Sequence, residues 1–161
     1  MPLVSKHTSA TALLLGSEVV LFDCSEGTQI QLLRAKISRA HINHIFISHL
    51  HGDHVLGLLP LLNTMNGDKR KAPLHIYAPG GLEEFIRLGM VLMDAAPFFP
   101  IHVHTLELDG TGEIAIVKGH SVSARLLEHR IDSFGFRVDE PPHRNIDIEK
   151  VRALGIEEGA T

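Results

Sequence analysis

The segment INHIFISHLHGDH, residues 42–54, joins a short apolar run directly to a cluster of histidines and an aspartate. The nearly continuous apolar run is typical of a strand that is buried on both faces of a sheet. His49 and His51 are two residues apart, so their side chains leave an extended chain on the same side. The glycine that follows permits a sharp turn, which puts Asp53 and His54 at the start of the next helix. The segment therefore predicts a sheet with metal-binding side chains at the end of a buried strand.

Ligand-type side chains at the carboxyl end of a buried strand favour a metal site, because open α/β sheets tend to place their sites there. Imidazole and carboxylate without thiolate suit zinc, manganese or iron more than a cysteine-rich structural zinc site. Two histidines and an Asp–His pair are enough to begin two metal sites, which in hydrolases lie roughly 3.5–4 Å apart around a bridging water. The less favoured alternative is a set of polar residues on a surface loop, because this spacing at a strand–helix junction is hard to produce by chance.

Turn residues and apolar patterns predict how the rest of the chain folds. A hairpin with its turn at residues 16–17 comes first, and a helix with Ser25 as its N-cap follows it. The apolar residues Ile30, Leu33 and Ile37 share one face of that helix. The other predicted elements are a helix with a break over VLGLLPLLNTM, a helix over LEEFIRLGMVLM, a short helix over residues 147–154, and strands over APLHIYAP, IHVHTLEL, GEIAIVKG, HSVSARLLEH and SFGFRV. This order predicts an α/β domain with a mixed sheet.

Composition narrows the class of protein. The 161 residues are one domain's worth of chain, with 44% hydrophobic and 21% charged residues as in ordinary globular proteins. No apolar run approaches the roughly 20 residues that a membrane helix needs. Cys24 is the only cysteine, which excludes a disulfide within the chain and favours a reducing, cytoplasmic compartment. The net charge of −4 argues against a broad nucleic-acid-coating surface, but the basic run at residues 67–71 could still meet RNA phosphate.

Histidines outside the cluster are interpreted as structural or exposed. His102 and His104 are also two residues apart, and we interpret them as the solvent-facing side of a strand, with metal binding as the less favoured alternative. His75 is interpreted as a strand histidine with its hydrogen bonds satisfied rather than as a ligand. Cys24 is interpreted as a small buried residue.

The spacing HxHxDH at a strand–helix junction is the signature of the metallo-β-lactamase superfamily, which this chain resembles. The segments FDCSEGTQIQ, INHIFISHLHGDHVLGL, LEHRIDSFGFRV and IDIEKVRALGIEEG are similar, in order and approximate spacing, to its tRNA 3′-processing branch, ribonuclease Z. The resemblance implies an α/β fold, the αββα four-layer sandwich. It also implies that the first strand and the C-terminal part of that fold are missing from this chain.

The same resemblance implies which residues form the site. One metal ion would be held by His49, His51 and His129. The second would be held by His54 and by Asp53, which would also act as the base that helps to deprotonate the attacking water. Zinc is the expected metal, with two ions per complete site and manganese or iron as alternatives.

The reaction that the resemblance implies is hydrolysis of the phosphodiester 3′ of the acceptor stem of precursor tRNA. Asp23 would hydrogen-bond to the ligand histidines from beneath the metals. Residues 1–138 would form the metallo-β-lactamase-fold domain, and residues 139–161 would begin a protruding tRNA-binding arm. A homodimer is expected, because in that family the arm of one subunit clamps tRNA that the other subunit cuts. Further contacts with RNA are expected from Lys6, His7, Lys150 and Arg152.

The family pattern also includes a bridging aspartate and a last ligand histidine beyond the arm, and residues 139–161 do not match them. We expect the chain to be an incomplete piece of a longer enzyme, rather than a half-domain completed by another chain, and therefore to bind metal weakly and turn over poorly by itself. Two other functions stay open. One is a related hydrolase that acts on small phosphodiesters, thioesters or lactams, and the other is a truncated chain that binds RNA without catalysis.

Overall fold

The computed structural model describes residues 7–107, 109, 112–142 and 148–155. Its larger sheet has five strands in the order β1–β2–β3–β4–β5, which comprise Thr11–Leu15, Glu18–Phe22, Ile42–Phe46, Leu74–Ala78 and Ile101–Thr105. The first two strands form the predicted antiparallel hairpin, with Gly16 at a φ of 61° in its turn. The strands from β2 to β5 run parallel, so the predicted mixed sheet is confirmed.

Helices cover one face of this sheet. They are α1 (Thr28–Arg34), α2 (Gly52–Val55), α3 (Leu58–Gly67) and α4 (Leu82–Leu92), with a further short helix, α5, at Ile148–Ala153. Leu32, Leu62 and Ile86 of the helices are in one buried cluster with Ile45 and Ile76 of the sheet. This apolar layer covers one face of the parallel strands, and the second sheet covers the other face. Because β3 is buried on both faces, its sequence is a short apolar run.

A second sheet packs on the other face. It is an antiparallel meander of β6 (Gly112–Val117), β7 (His120–Leu127) and β8 (Ser133–Asp139). Val20, Phe46 and Tyr77 of the first sheet share a buried cluster with Val122 and Phe134 of the second. The two core clusters therefore build a helix–sheet–sheet stack, and neither of them includes a described residue of α5.

The helix after the hairpin differs from its prediction. Gly27, with a φ of 80°, is the N-cap of α1, and Ser25 is buried one turn earlier with its carbonyl accepting the Thr28 hydroxyl at 2.7 Å. The face of α1 that meets the core carries Thr28 and Leu32. Ile30 and Leu33 are exposed, and Ile37 lies beyond the end of α1 and packs partly buried against the core, so the helix does not present the predicted face of these three residues.

The predicted break between residues 57 and 60 separates α2 from α3 at Gly57. A Cβ atom at Gly57 would lie 1.8 Å from the carbonyl oxygen of Ser25, so only glycine fits this close approach of two backbones. Pro60 lies in the first turn of α3, where the missing amide proton costs no helical hydrogen bond. None of the described helices is long and apolar enough to cross a membrane.

Candidate metal centre

The histidine cluster follows the carboxyl end of β3, as the sequence predicts. The chain stays tied to both sheets beyond the strand, because the Ile47 amide donates to the Tyr77 carbonyl at 2.8 Å and the Phe134 amide to the Ser48 carbonyl at 2.9 Å. His51 has an extended backbone and is the N-cap of α2, whose first turn closes when the His54 amide donates to the His51 carbonyl. These bonds fix the turn that carries the cluster.

The imidazoles of His49, His51 and His129 converge. Each offers a ligand nitrogen, and these atoms all lie within 4.8 Å of one another, close enough to hold one metal ion. The ring centroids of His49 and His51 are 4.8 Å apart, and those of His49 and His129 are 5.0 Å apart. His129 follows β7, so the second sheet supplies the distant member of the group. Among the described residues, these three histidines form the one group of three or more His, Cys, Asp or Glu side chains that is close enough to hold a metal ion.

Asp53 and His54 lie beside this group. The ring centroid of His54 is 4.0 Å from that of His49, and its Nε2 is 4.0 Å from an Asp53 carboxylate oxygen. The Asp53 side chain is 54% exposed, whereas that of His54 is 21% exposed, so the carboxylate faces the open side of the cluster. The five side chains predicted as ligands are therefore neighbours at one edge of the fold.

Asp23 lies beneath the cluster and is 8% exposed. It follows β2 with a φ of 58°, a left-handed conformation that aspartate tolerates better than most residues. Its Oδ1 accepts from the backbone amide of Ser48 at 2.8 Å and from the Ser48 hydroxyl at 2.9 Å. Its Oδ2 is 2.7 Å from Nδ1 of His54 and 3.1 Å from the Ser9 hydroxyl. The carboxylate thus contacts His54, while the Ser48 hydroxyl extends the same network to Nδ1 of His49 at 2.9 Å.

The electrostatics favour neutral imidazole at the most buried position. Burial lowers the pKa of His49, and the neighbouring His54, His51 and His129 lower it further. A histidine must be neutral to offer its lone pair to a metal ion, so this shift prepares His49 as a ligand. Imidazole nitrogens with a carboxylate and no thiolate are a donor set that zinc, iron and manganese accept. The residues present fit a metal ion.

Two serines that contact Asp23 were not predicted from the sequence, and the side chains of the predicted RNA-contacting residues are exposed or lie outside the described residues. Ser48 and Ser9 contact Asp23, and the only sequence signal for Ser48 is its place beside the first ligand histidine. His7 is exposed and its ring nitrogen lies 3.0 Å from the amide nitrogen of Gln31. Lys150 is on an exposed part of α5, whereas Lys6 and the side chain of Arg152 are outside the described residues.

The basic run at residues 67–71 is only partly available to RNA. Arg70 is buried rather than solvated, and its guanidinium donates to the Ala72 and Pro73 carbonyls and to the Asn43 side chain at 2.7–2.8 Å. Its cation therefore stabilises the loop and β3, because the carbonyls there attract it inward. Lys69 and Lys71 remain exposed.

Known proteins resemble this chain in sequence and in fold. The profile of a family described as the β-lactamase superfamily domain matches residues 18–146. Ribonuclease Z of Limosilactobacillus fermentum is 38% identical over 98% of this chain and 52% of its own length. Ribonuclease Z of Salinibacter ruber is 41% identical over 99% of this chain and 50% of its own length. The chain therefore spans about half the length of the curated relatives that it matches.

A solved structure supports the same comparison. The crystal structure of human tRNase Z, short form, superposes with a TM-score of 0.78 at 36% identity, covering 86% of this chain and 61% of that one. The two-sheet architecture with helices on one face is thus shared with that protein.

Proposed function

We propose that this chain, which belongs to the β-lactamase superfamily, carries the metal centre of a ribonuclease Z-type endoribonuclease that cuts precursor tRNA 3′ of the acceptor stem. The observation that carries the proposal is the convergence of His129, from the second sheet, with His49 and His51, from the first. The likeness to proteins named ribonuclease Z and tRNase Z, each well above 30% identity, supports this reaction over others in the superfamily.

The residues that would hold metal are those that the sequence predicted. His49, His51 and His129 would bind one ion, and Asp53 with His54 would contribute to a second. We propose zinc, because a site of imidazoles and carboxylate suits it, with manganese and iron as alternatives. Divalent ions bound in such a centre would supply Lewis acidity. This would activate water near neutral pH and screen the negative charge that builds up on the oxygens of the phosphodiester during attack.

The protein's own groups would position and move protons around that chemistry. The exposed carboxylate of Asp53 would accept the proton of the attacking water, since it faces the open side of the cluster. Asp23 would orient His54 through the 2.7 Å contact with its Nδ1, which leaves Nε2 as the free nitrogen. Cleavage of the bond between phosphorus and the 3′ oxygen would leave a 3′ hydroxyl on the tRNA and a phosphate on the trailer.

Substrate binding and assembly follow from the same proposal. The arm at residues 139–161 would contact tRNA through Lys150 and Arg152, and Lys6 and His7 would contact RNA near the site. The net charge of −4 agrees with RNA contacts that are local rather than spread over the surface. The homodimer and the cytoplasmic location remain predictions.

A single-turnover cleavage assay tests the proposal. The zinc-loaded chain, with intact mass and metal content measured on the same sample, is incubated in excess over a precursor tRNA that carries a 3′ trailer. We expect a product that ends in a 3′ hydroxyl at the acceptor stem, and its loss in Asp53→Ala but not in the exposed control Asp109→Ala. Because the chain is expected to turn over poorly by itself, slow cleavage is sufficient, and a metal-loaded chain that yields no more product than Asp53→Ala contradicts the proposal. Hydrolysis of a bis-aryl phosphate by that inert sample would favour the small-phosphodiester alternative.

A further inference from the structure

A second group of histidines lies on the first sheet, away from the centre described above. His44 of β3, His75 of β4, and His102 and His104 of β5 lie in neighbouring strands. His44 pairs directly with His75, and His75 pairs directly with His102, so these rings form one row across three strands. His104 pairs with Tyr77 one row further along. The register of the parallel sheet therefore gathers side chains that are far apart in sequence.

The rings in this group are in contact. The centroids of His44 and His75 are 5.4 Å apart, and those of His75 and His102 are 5.0 Å apart, with nearly parallel planes in both pairs. Nδ1 of His75 lies 3.0 Å from Nε2 of His104, across the diagonal of the two strands. At the start of the row, Nδ1 of His44 contacts an oxygen of the buried Glu18 at 2.5 Å.

We propose that His75 and His104 bind a divalent transition-metal ion that prefers imidazole, with water completing its coordination. Two nitrogens that bind one ion at about 2.0–2.1 Å are roughly 3 Å apart when the angle at the ion is near 90°. The separation of Nδ1 of His75 and Nε2 of His104 is 3.0 Å, which matches that spacing. This site does not depend on the proposed nuclease function, because it shares no residue with that centre.

The lowered pKa values of His75 and His104 agree with a metal site, because they favour the neutral imidazole that can bind an ion. Burial lowers the pKa of His75, and the neighbouring His44, His102 and His104 lower it further. Burial also lowers the pKa of His104, followed by His102 and His44. Neutral imidazoles keep a lone pair for a metal ion, whereas a row of protonated rings would repel one another. The competing arrangement is a single N–H···N hydrogen bond between the two neutral rings.

A bound ion would have a structural effect. It would join β4 to β5, and β5 is the last strand of the described sheet, with a single described neighbour. Because the ion binds the folded chain, it would stabilise that chain by an amount that grows with the logarithm of the ion concentration over the dissociation constant, and the unfolding temperature would rise accordingly. Imidazole ligands and the Irving–Williams order make Cu²⁺ the tightest probe, ahead of Ni²⁺ and Zn²⁺.

The test is a Cu²⁺ titration of the intact chain, followed by competition with a chelator and by electron spin-echo spectroscopy, which counts coordinated imidazoles. We expect His75→Gln and His104→Gln each to weaken one Cu²⁺ site roughly tenfold or more. His41→Gln, which removes an exposed histidine outside both groups, should leave every site unchanged. The same loss is expected in a His51→Ala/His129→Ala background, which separates this site from the other centre.

A loss of Cu²⁺ binding in His104→Gln would not reflect misfolding, because the His104 side chain is exposed and its replacement leaves the core intact. Unfolding curves of the metal-free variants check this directly. Equal numbers and affinities of Cu²⁺ sites in the wild type, His75→Gln and His104→Gln would overturn the proposal and leave the hydrogen bond as the explanation of the 3.0 Å contact.

Discussion

The Asp23→Asn variant tests whether a carboxylate beneath the centre decides which nitrogen of His54 can bind metal. Oδ2 of Asp23 lies 2.7 Å from Nδ1 of His54, so the carboxylate keeps the ring proton on Nδ1 and leaves Nε2 free. Asparagine keeps an oxygen that can accept from Ser48, but it turns an amide donor toward Nδ1. The ring must then carry its proton on Nε2, where it blocks a metal ion.

The expected magnitude follows from these contacts. Loss of such an outer hydrogen-bond partner costs about 10–100-fold in metal affinity, or about 1.4–2.7 kcal/mol. The free energy of unfolding should change by less than about 1 kcal/mol, because asparagine also tolerates the φ of 58° at this position. Asp23→Ala, in contrast, leaves the part-buried Ser48 amide without its acceptor. It should therefore lower the free energy of unfolding by about 1–3 kcal/mol more than Asp23→Asn does.

Zinc affinity is measured by competition with a chromophoric chelator, and the free energy of unfolding by urea titration of the metal-free chain. Asp94→Asn is the matched control, because Asp94 also has a positive φ, of 50°, but is exposed and far along the chain. Wild-type zinc affinity in Asp23→Asn would refute the reasoning. So would equal loss of stability in Asp23→Asn and Asp23→Ala.

Three further predictions concern stability. Gly57→Ala should destabilise the fold by about 3 kcal/mol, because the added Cβ would clash with the Ser25 carbonyl. Gly67→Ala should not destabilise it, because a Cβ at Gly67 has no atom within 4 Å. Equal midpoints of urea unfolding for the two variants would contradict this. Arg70→Met should lower the free energy of unfolding by about 1.5–3 kcal/mol, because it removes the hydrogen bonds of a buried cation to part-buried acceptors, while the exposed Lys71→Met should stay within about 0.5 kcal/mol. The pKa values of His75 and His104 lie below the ordinary 6.5, so the unfolded chain binds more protons and the free energy of unfolding should rise with pH just below 6.5. The His75→Gln/His104→Gln double variant should have a shallower slope in that range, and an unchanged slope would contradict the assignment.

Local patterns predicted the part of the centre that is local in sequence. His49, His51, Asp53 and His54 lie where a strand becomes a helix, and alternation along the strand end is enough to put the first two side chains on one side. His129 could be predicted only from the resemblance to a family, because its approach depends on how the second sheet packs on the first. Spacing in sequence carries no information on that packing.

Other features depend on register and on backbone geometry that periodicity does not reveal. The predicted face of Ile30, Leu33 and Ile37 was wrong because α1 ends at Arg34, before Ile37, and the side of the helix that packs on the core carries Thr28 and Leu32. His75 and His104 were considered separately, and only the pairing of β4 with β5 brings their nitrogens together. The basic run at residues 67–71 was considered for contact with RNA phosphate, but the Ala72 and Pro73 carbonyls accept hydrogen bonds from Arg70 and hold it inside its own loop.

The most direct test of the central claim is anomalous diffraction at the zinc absorption edge from crystals of the zinc-loaded chain. We predict a strong anomalous peak about 2.0–2.1 Å from one ring nitrogen each of His49, His51 and His129. In crystals of the His129→Ala variant grown and loaded in the same way, that peak should weaken or disappear, because one of the three converging ligand nitrogens is removed. A zinc-loaded chain with no peak among these three histidines would contradict the account.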